Sequence, residues 1–136
     1  MKFPLRVVSV ERSLFEGEVE FMIATGAEGE LGVLARHAPL MTVLKPGALR
    51  IQETYGGPEE QLFVGGGFLE VLPERVTVLA DVAEHADEIS IEAAEDARRR
   101  AQERLAGTIT AAEEVEFRNA LAQAEARLRL ARTRRG

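Results

Sequence analysis

The spacing of apolar positions changes partway along the chain, and the change divides it into two kinds of structure. Up to about Ala83 the runs are short, β-branched and broken by turn residues. Phe3, Leu5 and Val7 alternate with other residues, as do Val19, Phe21 and Ile23, so each run offers one apolar face at the period of two that a half-buried strand requires. Leu40 to Leu44, Ala48 to Glu53, Gln61 to Val64, Phe68 to Leu72 and Val76 to Ala80 continue the series. Lys45-Pro46-Gly47, Tyr55-Gly56-Gly57-Pro58 and Pro73-Glu74-Arg75 lie between them as turn material. Many short strands at close spacing predict an antiparallel β-sandwich or barrel.

His85-Ala86-Asp87-Glu88 breaks the alternation, and the domain boundary is expected there, with residues 1–86 forming the sandwich and 87–136 a helical unit. Ser90 can cap a helix, after which Ile91, Ala94, Ala97, Ala101 and Leu105 recur at spacings of three and four. Gly107 is expected to end that helix in a left-handed cap. Thr110 followed by Glu113 matches a capping box, and Phe117, Leu121, Ala124, Leu128 and Ala131 form the stripe of a second helix. Two helices joined so closely should pack as an antiparallel hairpin. Its first helix offers mostly alanine to the seam. At ~0.8 kcal/mol per buried CH₂-sized group, opposed by ordering entropy, such a seam is weakly held and can open.

Composition narrows the function classes. The 136 residues are 46% hydrophobic, enough for a real core. Cysteine is absent, which removes disulfides and thiolate metal sites and fits a reducing compartment such as a bacterial cytosol. MKFPLRVVSV has no long apolar segment of the signal-peptide kind, and no later run approaches the ~20 apolar residues of a membrane-spanning helix. The net charge of −6 hides an asymmetry. Split between Ile89 and Ser90, the first part has seven basic and fifteen acidic residues, the second ten basic and eight acidic. An acidic body with an arginine-rich tail is not the footprint of a nucleic-acid binder.

Residues that tempt a catalytic reading fail on context. Gly65-Gly66-Gly67 leads into a strand pattern and no Gly-Lys-Ser/Thr follows, so a bulge or close backbone approach replaces a phosphate loop. Glu59-Glu60 and Asp87-Glu88 are adjacent acids with nothing nearby to desolvate them. His37 has only His85 as a second histidine, which argues against a metal site. No nucleophile, base and orienting group can be assembled, so no enzyme and no cofactor are expected.

One string carries more information than the rest: EGELGVLARHAPL, Glu28 to Leu40. Gly29 and Gly32 suit a backbone at positive φ or in close approach, and Pro39 biases Ala38 toward extended geometry, so a compact corner between strands is expected. With VGGGFLEV at Val64 to Val71 and VTVLADVAE at Val76 to Glu84, in this order, the string closely resembles the epsilon subunit of F-type ATP synthases. The resemblance covers essentially the whole chain and implies a non-catalytic central-stalk subunit on the cytoplasmic face of the bacterial membrane. Its implied partners are the gamma subunit, the membrane-embedded c-ring and the alpha/beta catalytic hexamer. It implies that Glu30 and His37 meet the c-ring's polar loops. It further implies that the hairpin can be compact or extended, and that the extended second helix meets an acidic segment of the catalytic hexamer. Arg127, Arg129, Arg132, Arg134 and Arg135, with Arg118, are then the candidates that hold an inhibited state. Dipole compensation and solubility are the competing explanation for that cluster.

Some members of the family bind ATP through Ile/Leu-Asp-x-x-Arg-Ala at the base of the hairpin. Here the stretch is Ile89-Ser90-Ile91-Glu92-Ala93-Ala94, with serine for the acid and alanine for the arginine. Glu84 and Arg100 stand where they could still contribute, but a carboxylate acceptor and a guanidinium donor are missing. Weak or absent ATP binding is expected. The alternatives are a nucleotide sensor, which an ATP titration would separate, and a free-standing adaptor, which co-purification with a gamma subunit would exclude.

Overall fold

The computed structural model describes residues 1–135 and divides into two compact units, Met1–His85 and a helical unit beginning at Ala86. Eight strands build the first: β1 (Phe3–Ser9), β2 (Ser13–Val19), β3 (Phe21–Gly26), β4 (Gly29–Leu34), β5 (Leu40–Gln52), β6 (Glu59–Val71), β7 (Val76–Ala80) and β8 (Ala83–His85). They form one hydrogen-bonded network in the order β2-β1-β7-β6-β5-β3-β4, with β8 also paired to β6. All pairings are antiparallel except β1 with β7, which is parallel. The network wraps one core as a β-sandwich, to which every strand contributes buried apolar side chains, among them Leu5, Val19, Met22, Val33, Ile51, Leu69, Val78 and Ala83.

The wrapping depends on β5 and β6, each long enough to serve both halves. The first part of β6 pairs with β8, through Leu62 to Val64, and the last part with β7, through Gly67 to Val71. The changeover falls on Gly65-Gly66-Gly67. Gly66 and Gly67 have φ of 103° and 134°, and a Cβ on Gly67 would overlap the Leu79 carbonyl oxygen. The Gly65 N–H donates to Val82 O at 2.7 Å, and the Asp81 N–H to Gly66 O at 2.9 Å, so the bend is pinned to the β7–β8 link. The glycine run is therefore a strand bend with close backbone approach.

One alternation is broken where the sequence pattern runs on. Val19, Phe21 and Ile23 do not share a buried face: Val19, Met22 and Ala24 are the buried residues. The reason is Glu20. Its N–H lies 3.1 Å from both Gln52 O and Glu53 O, and its carboxylate accepts from the Tyr55 N–H at 2.8 Å, so β2 ends and β3 begins one residue out of phase. A one-residue offset exchanges the two faces of a strand.

In the second unit a short 3-10 helix (Ala86–Glu88) precedes α1 (Ile91–Ala106) and α2 (Ala111–Arg135). Ser90 Oγ accepts the Ala93 N–H at 3.1 Å, capping α1. The capping box also forms: the Glu113 N–H donates to Thr110 Oγ1 at 3.1 Å and the Thr110 N–H to Glu113 Oε1 at 3.0 Å. Gly107 departs from expectation. It is extended, with φ −94° and ψ −170°, and its N–H turns back to Arg104 O at 3.2 Å, so one tight turn closes α1 without a left-handed residue. Ala94, Ala101, Ala124, Leu128 and Ala131 are buried, as the stripes require. Ala126 and Leu130 are buried too, on a different side of α2, so the end of this helix is covered on two faces.

Candidate functional site

The corner that carries Glu30 and His37 is built around an edge strand. Gly29 pairs with Gly26 and Leu34 with Phe21, so β4 is itself a strand of the sheet and the string folds as turn, strand and turn. Gly29 takes φ 130° with no heavy atom within 4 Å of a built Cβ, so the tight β3–β4 turn needs its backbone freedom. Glu30 is the second residue of β4, beside that turn, exposed and without an ion pair among the described residues. His37 follows the opposite end of β4. Its N–H donates to Leu34 O at 3.2 Å and its Nδ1 lies 2.7 Å from Ala38 O. Glu30 and Leu34 are separated by ~13 Å at ~3.3 Å per residue, so the two candidates mark the two ends of an edge strand rather than one cluster.

A second surface was not legible as a site. Val43 pairs with Phe68, Phe68 with Leu79, and Leu79 with Val8, so the four lie in one row across β5, β6, β7 and β1. Val43, Phe68 and Leu79 are 52%, 48% and 50% exposed, with Met41 at 64% beside them. Large apolar side chains grouped on a sheet face mark an interaction surface more often than singly scattered ones do. The signal in the sequence is the apolar residue left over at each strand's outward position, readable only once the register is known.

The arginines of α2 do not form one patch. At about 100° per residue, Arg118, Arg129 and Arg132 fall on one side of the helix, and Arg127 and Arg134 on the other, with the two buried faces between them. Arg118 pairs with Glu114 at 3.2 Å and Arg132 with Glu95 of α1 at 3.1 Å. Arg129 and Arg134 are exposed, and Arg127 is half-buried. Arg135 closes α2, and its side chain lies outside the described residues.

At the other end of the hairpin Arg104 reaches across to Glu113 at 3.1 Å and stacks over the Phe117 ring at 4.6 Å. These contacts border an open groove of ≈ 400 Å³ lined by Ala97, Arg100, Ala101, Arg104, Phe117 and Ala120. Arg100 is exposed and its Nε reaches Asp96 O at 3.5 Å, whereas Glu84 belongs to β8 of the first unit, opposite Phe63. Ser90, in the position of the nucleotide motif's acid, is engaged as the cap of α1. Among the described residues no three His, Asp or Glu side chains are placed to hold a metal ion, and no helix is long and apolar enough to cross a membrane.

Residues 2–86 match the family model described as the beta-sandwich domain of the ATP synthase delta/epsilon chain. The chain belongs to the ATP synthase epsilon-chain family. It is 45% identical over 139 aligned positions to the ATP synthase epsilon chain of Dehalococcoides mccartyi strain BAV1, covering 98% of this chain and 95% of that one. It is 50% identical over 101 residues to the epsilon chain of Desulforamulus reducens, covering 74% and 75% of the two. Among solved structures it resembles a chain of the Euglena gracilis mitochondrial ATP synthase, in an OSCP/F1/c-ring assembly, with a TM-score of 0.77 and 26% identity over 91% of this chain and 78% of that one. The fold and the family thus agree with the sequence resemblance.

Proposed function

We propose that the chain is a non-catalytic subunit of the central stalk that binds the gamma subunit, rests on the c-ring and couples ion-driven rotation to ATP synthesis. Through its helical hairpin it also restrains ATP hydrolysis. The observation that carries this reading is the end-to-end correspondence with a bacterial epsilon chain, hairpin included. The exposed row Val43, Phe68 and Leu79 supports a docking face for gamma, because apolar area of that kind gains ~25 cal/mol per Å² when a partner removes it from water. Glu30 and His37 serve as two separated contact points on the rotor. The chain is peripheral, held at the cytoplasmic face of the bacterial membrane by its partners.

The helical hairpin supplies regulation. Its seam is built mostly on alanine, Ala94, Ala101, Ala124 and Ala131, with Leu128 as the large side chain buried on the same stripe, so little area is buried per turn and compact and extended arrangements differ by a small free energy. Extended, α2 presents arginines to the catalytic hexamer. ATP hydrolysis by the complex assembled with the full-length chain, and with a version ending at Glu88, tests this division. A large rise on truncation establishes the regulatory role. Unchanged hydrolysis leaves the coupling role alone. A nucleotide-sensing role is disfavoured because Ser90 is committed to the helix cap and Ala93 offers no donor to a phosphate.

A further inference from the structure

The turn that follows β4 carries a residue its geometry does not favour. The His37 N–H to Leu34 O bond closes a four-residue turn whose third position is Arg36. Arg36 has φ 67°, the one positive φ of a non-glycine residue among the described residues. Positive φ at the third position alone is type II turn geometry, which is ordinarily supplied by glycine or asparagine because a Cβ there crowds the neighbouring carbonyl oxygen. Strained positions of this kind persist where a function holds them.

Local stability does not account for the arginine. Its side chain is exposed and makes no hydrogen bond or ion pair among the described residues. What it does is set a guanidinium, with five N–H donors, beside His37 on the acidic body of the chain. His37 complements it. Because Ala38 O can only accept, Nδ1 is the donor in the 2.7 Å contact. The corner therefore sets a forked cationic donor beside an imidazole whose Nδ1 is already engaged.

We infer that Arg36 is a contact residue for the membrane rotor, donating from its guanidinium to carboxylate or carbonyl oxygens of the rotor's polar loops. The inference rests on the proposed placement of Glu30 and His37 against the c-ring. It separates two effects of one side chain: cost to the fold and gain at the interface. Arg36→Gly relieves the turn, and Arg36→Asn tolerates it without the charge, whereas Arg36→Lys keeps the charge and the strain.

The test uses F1 assembled with each full-length variant and measures binding to detergent-solubilised c-ring, together with the melting temperature of the isolated chain. Arg36→Gly and Arg36→Asn are expected to melt no lower than the parent, and up to ~5 °C higher. Both should bind the c-ring roughly two- to fivefold more weakly, with Arg36→Lys close to the parent. A lower melting temperature for Arg36→Gly would show a structural role and overturn the inference. So would unchanged binding for Arg36→Gly while Glu30→Ala and His37→Ala weaken it. If those two variants also leave binding unchanged, the placement of the corner itself falls, and the role of Arg36 with it.

Discussion

Arg132 Nη2 stands 3.1 Å from Glu95 Oε1, an ion pair that joins residues 37 apart in sequence across the helical hairpin. Both side chains are about half exposed, so the pair is screened and is worth roughly 0.2–1 kcal/mol. Over an alanine seam even that amount shifts the hairpin's opening equilibrium up to about fivefold. Glu95→Gln is expected to raise amide exchange in α1 and the end of α2 by that factor at low salt, with the difference shrinking at ~0.5 M salt. The exchanged pair Glu95→Arg with Arg132→Glu should restore protection. Failure of the exchange to restore it would show that the contact carries no closing free energy.

The bend in β6 separates two ways in which a glycine is required. Gly29 and Gly67 have nearly the same φ, 130° and 134°, but a Cβ on Gly29 meets nothing within 4 Å, while on Gly67 it overlaps the Leu79 carbonyl. Gly29→Ala therefore costs backbone strain alone, ~1–2 kcal/mol. Gly67→Ala adds a steric overlap against backbone that cannot move without parting β6 from β7, and should cost at least ~3 kcal/mol. Urea unfolding of the two variants measures the difference directly. Equal losses would mean that the bend relaxes at little cost.

These contrasts also show why parts of the molecule were legible in the sequence. Strand faces such as Phe3, Leu5 and Val7, the Ser90 cap and the Thr110–Glu113 box depend on near neighbours, and each formed. The phase change at Glu20 depends on bonds made to Gln52 and Glu53, which no local pattern announces. The same holds for the candidate sites. Glu30 and His37 are close in sequence but separated by β4, while Val43, Phe68 and Leu79 are far apart in sequence and adjacent in register. Helical spacing could have divided the arginines of α2 in advance. The partner of Arg132 could not have been found that way, because Glu95 lies on another helix.

Acidification should loosen the start of α2. The Thr110 N–H bond to the Glu113 carboxylate, with the Thr110 side chain and Arg104 assisting, holds the Glu113 carboxyl below the ordinary glutamate range. A lowered folded pKa means that this stabilisation is fully present above the unfolded glutamate value and is lost as pH falls through the lowered folded value. Exchange of the Thr110 amide should therefore accelerate relative to its intrinsic rate as the pH is taken below about 4.5, the unperturbed glutamate value. Glu113→Ala should show the fast, pH-independent limit at neutral pH. A parent protein whose relative protection stays constant on acidification would contradict the assignment.

The division of the α2 arginines into two sides allows the proposed electrostatic hold on the catalytic hexamer to be read face by face. A single acidic surface meets one side of a helix, since residues about 180° apart point away from each other. Arg118 and Arg129 lie on one side, with Arg118 held among the described residues by the exposed Glu114 pair, while Arg127 and Arg134 lie on the other. We expect the Arg118→Ala, Arg129→Ala double variant to raise ATP hydrolysis by the assembled complex severalfold, at ~1 kcal/mol of lost contact per arginine. The Arg127→Ala, Arg134→Ala variant should stay near the parent. Hydrolysis measured at low and high salt adds a second criterion, because an electrostatic hold weakens with ionic strength in the parent and much less in the first double variant. Equal release by both pairs would mean that the tail acts through its overall positive charge, and no release by either would remove the arginines from the inhibitory contact.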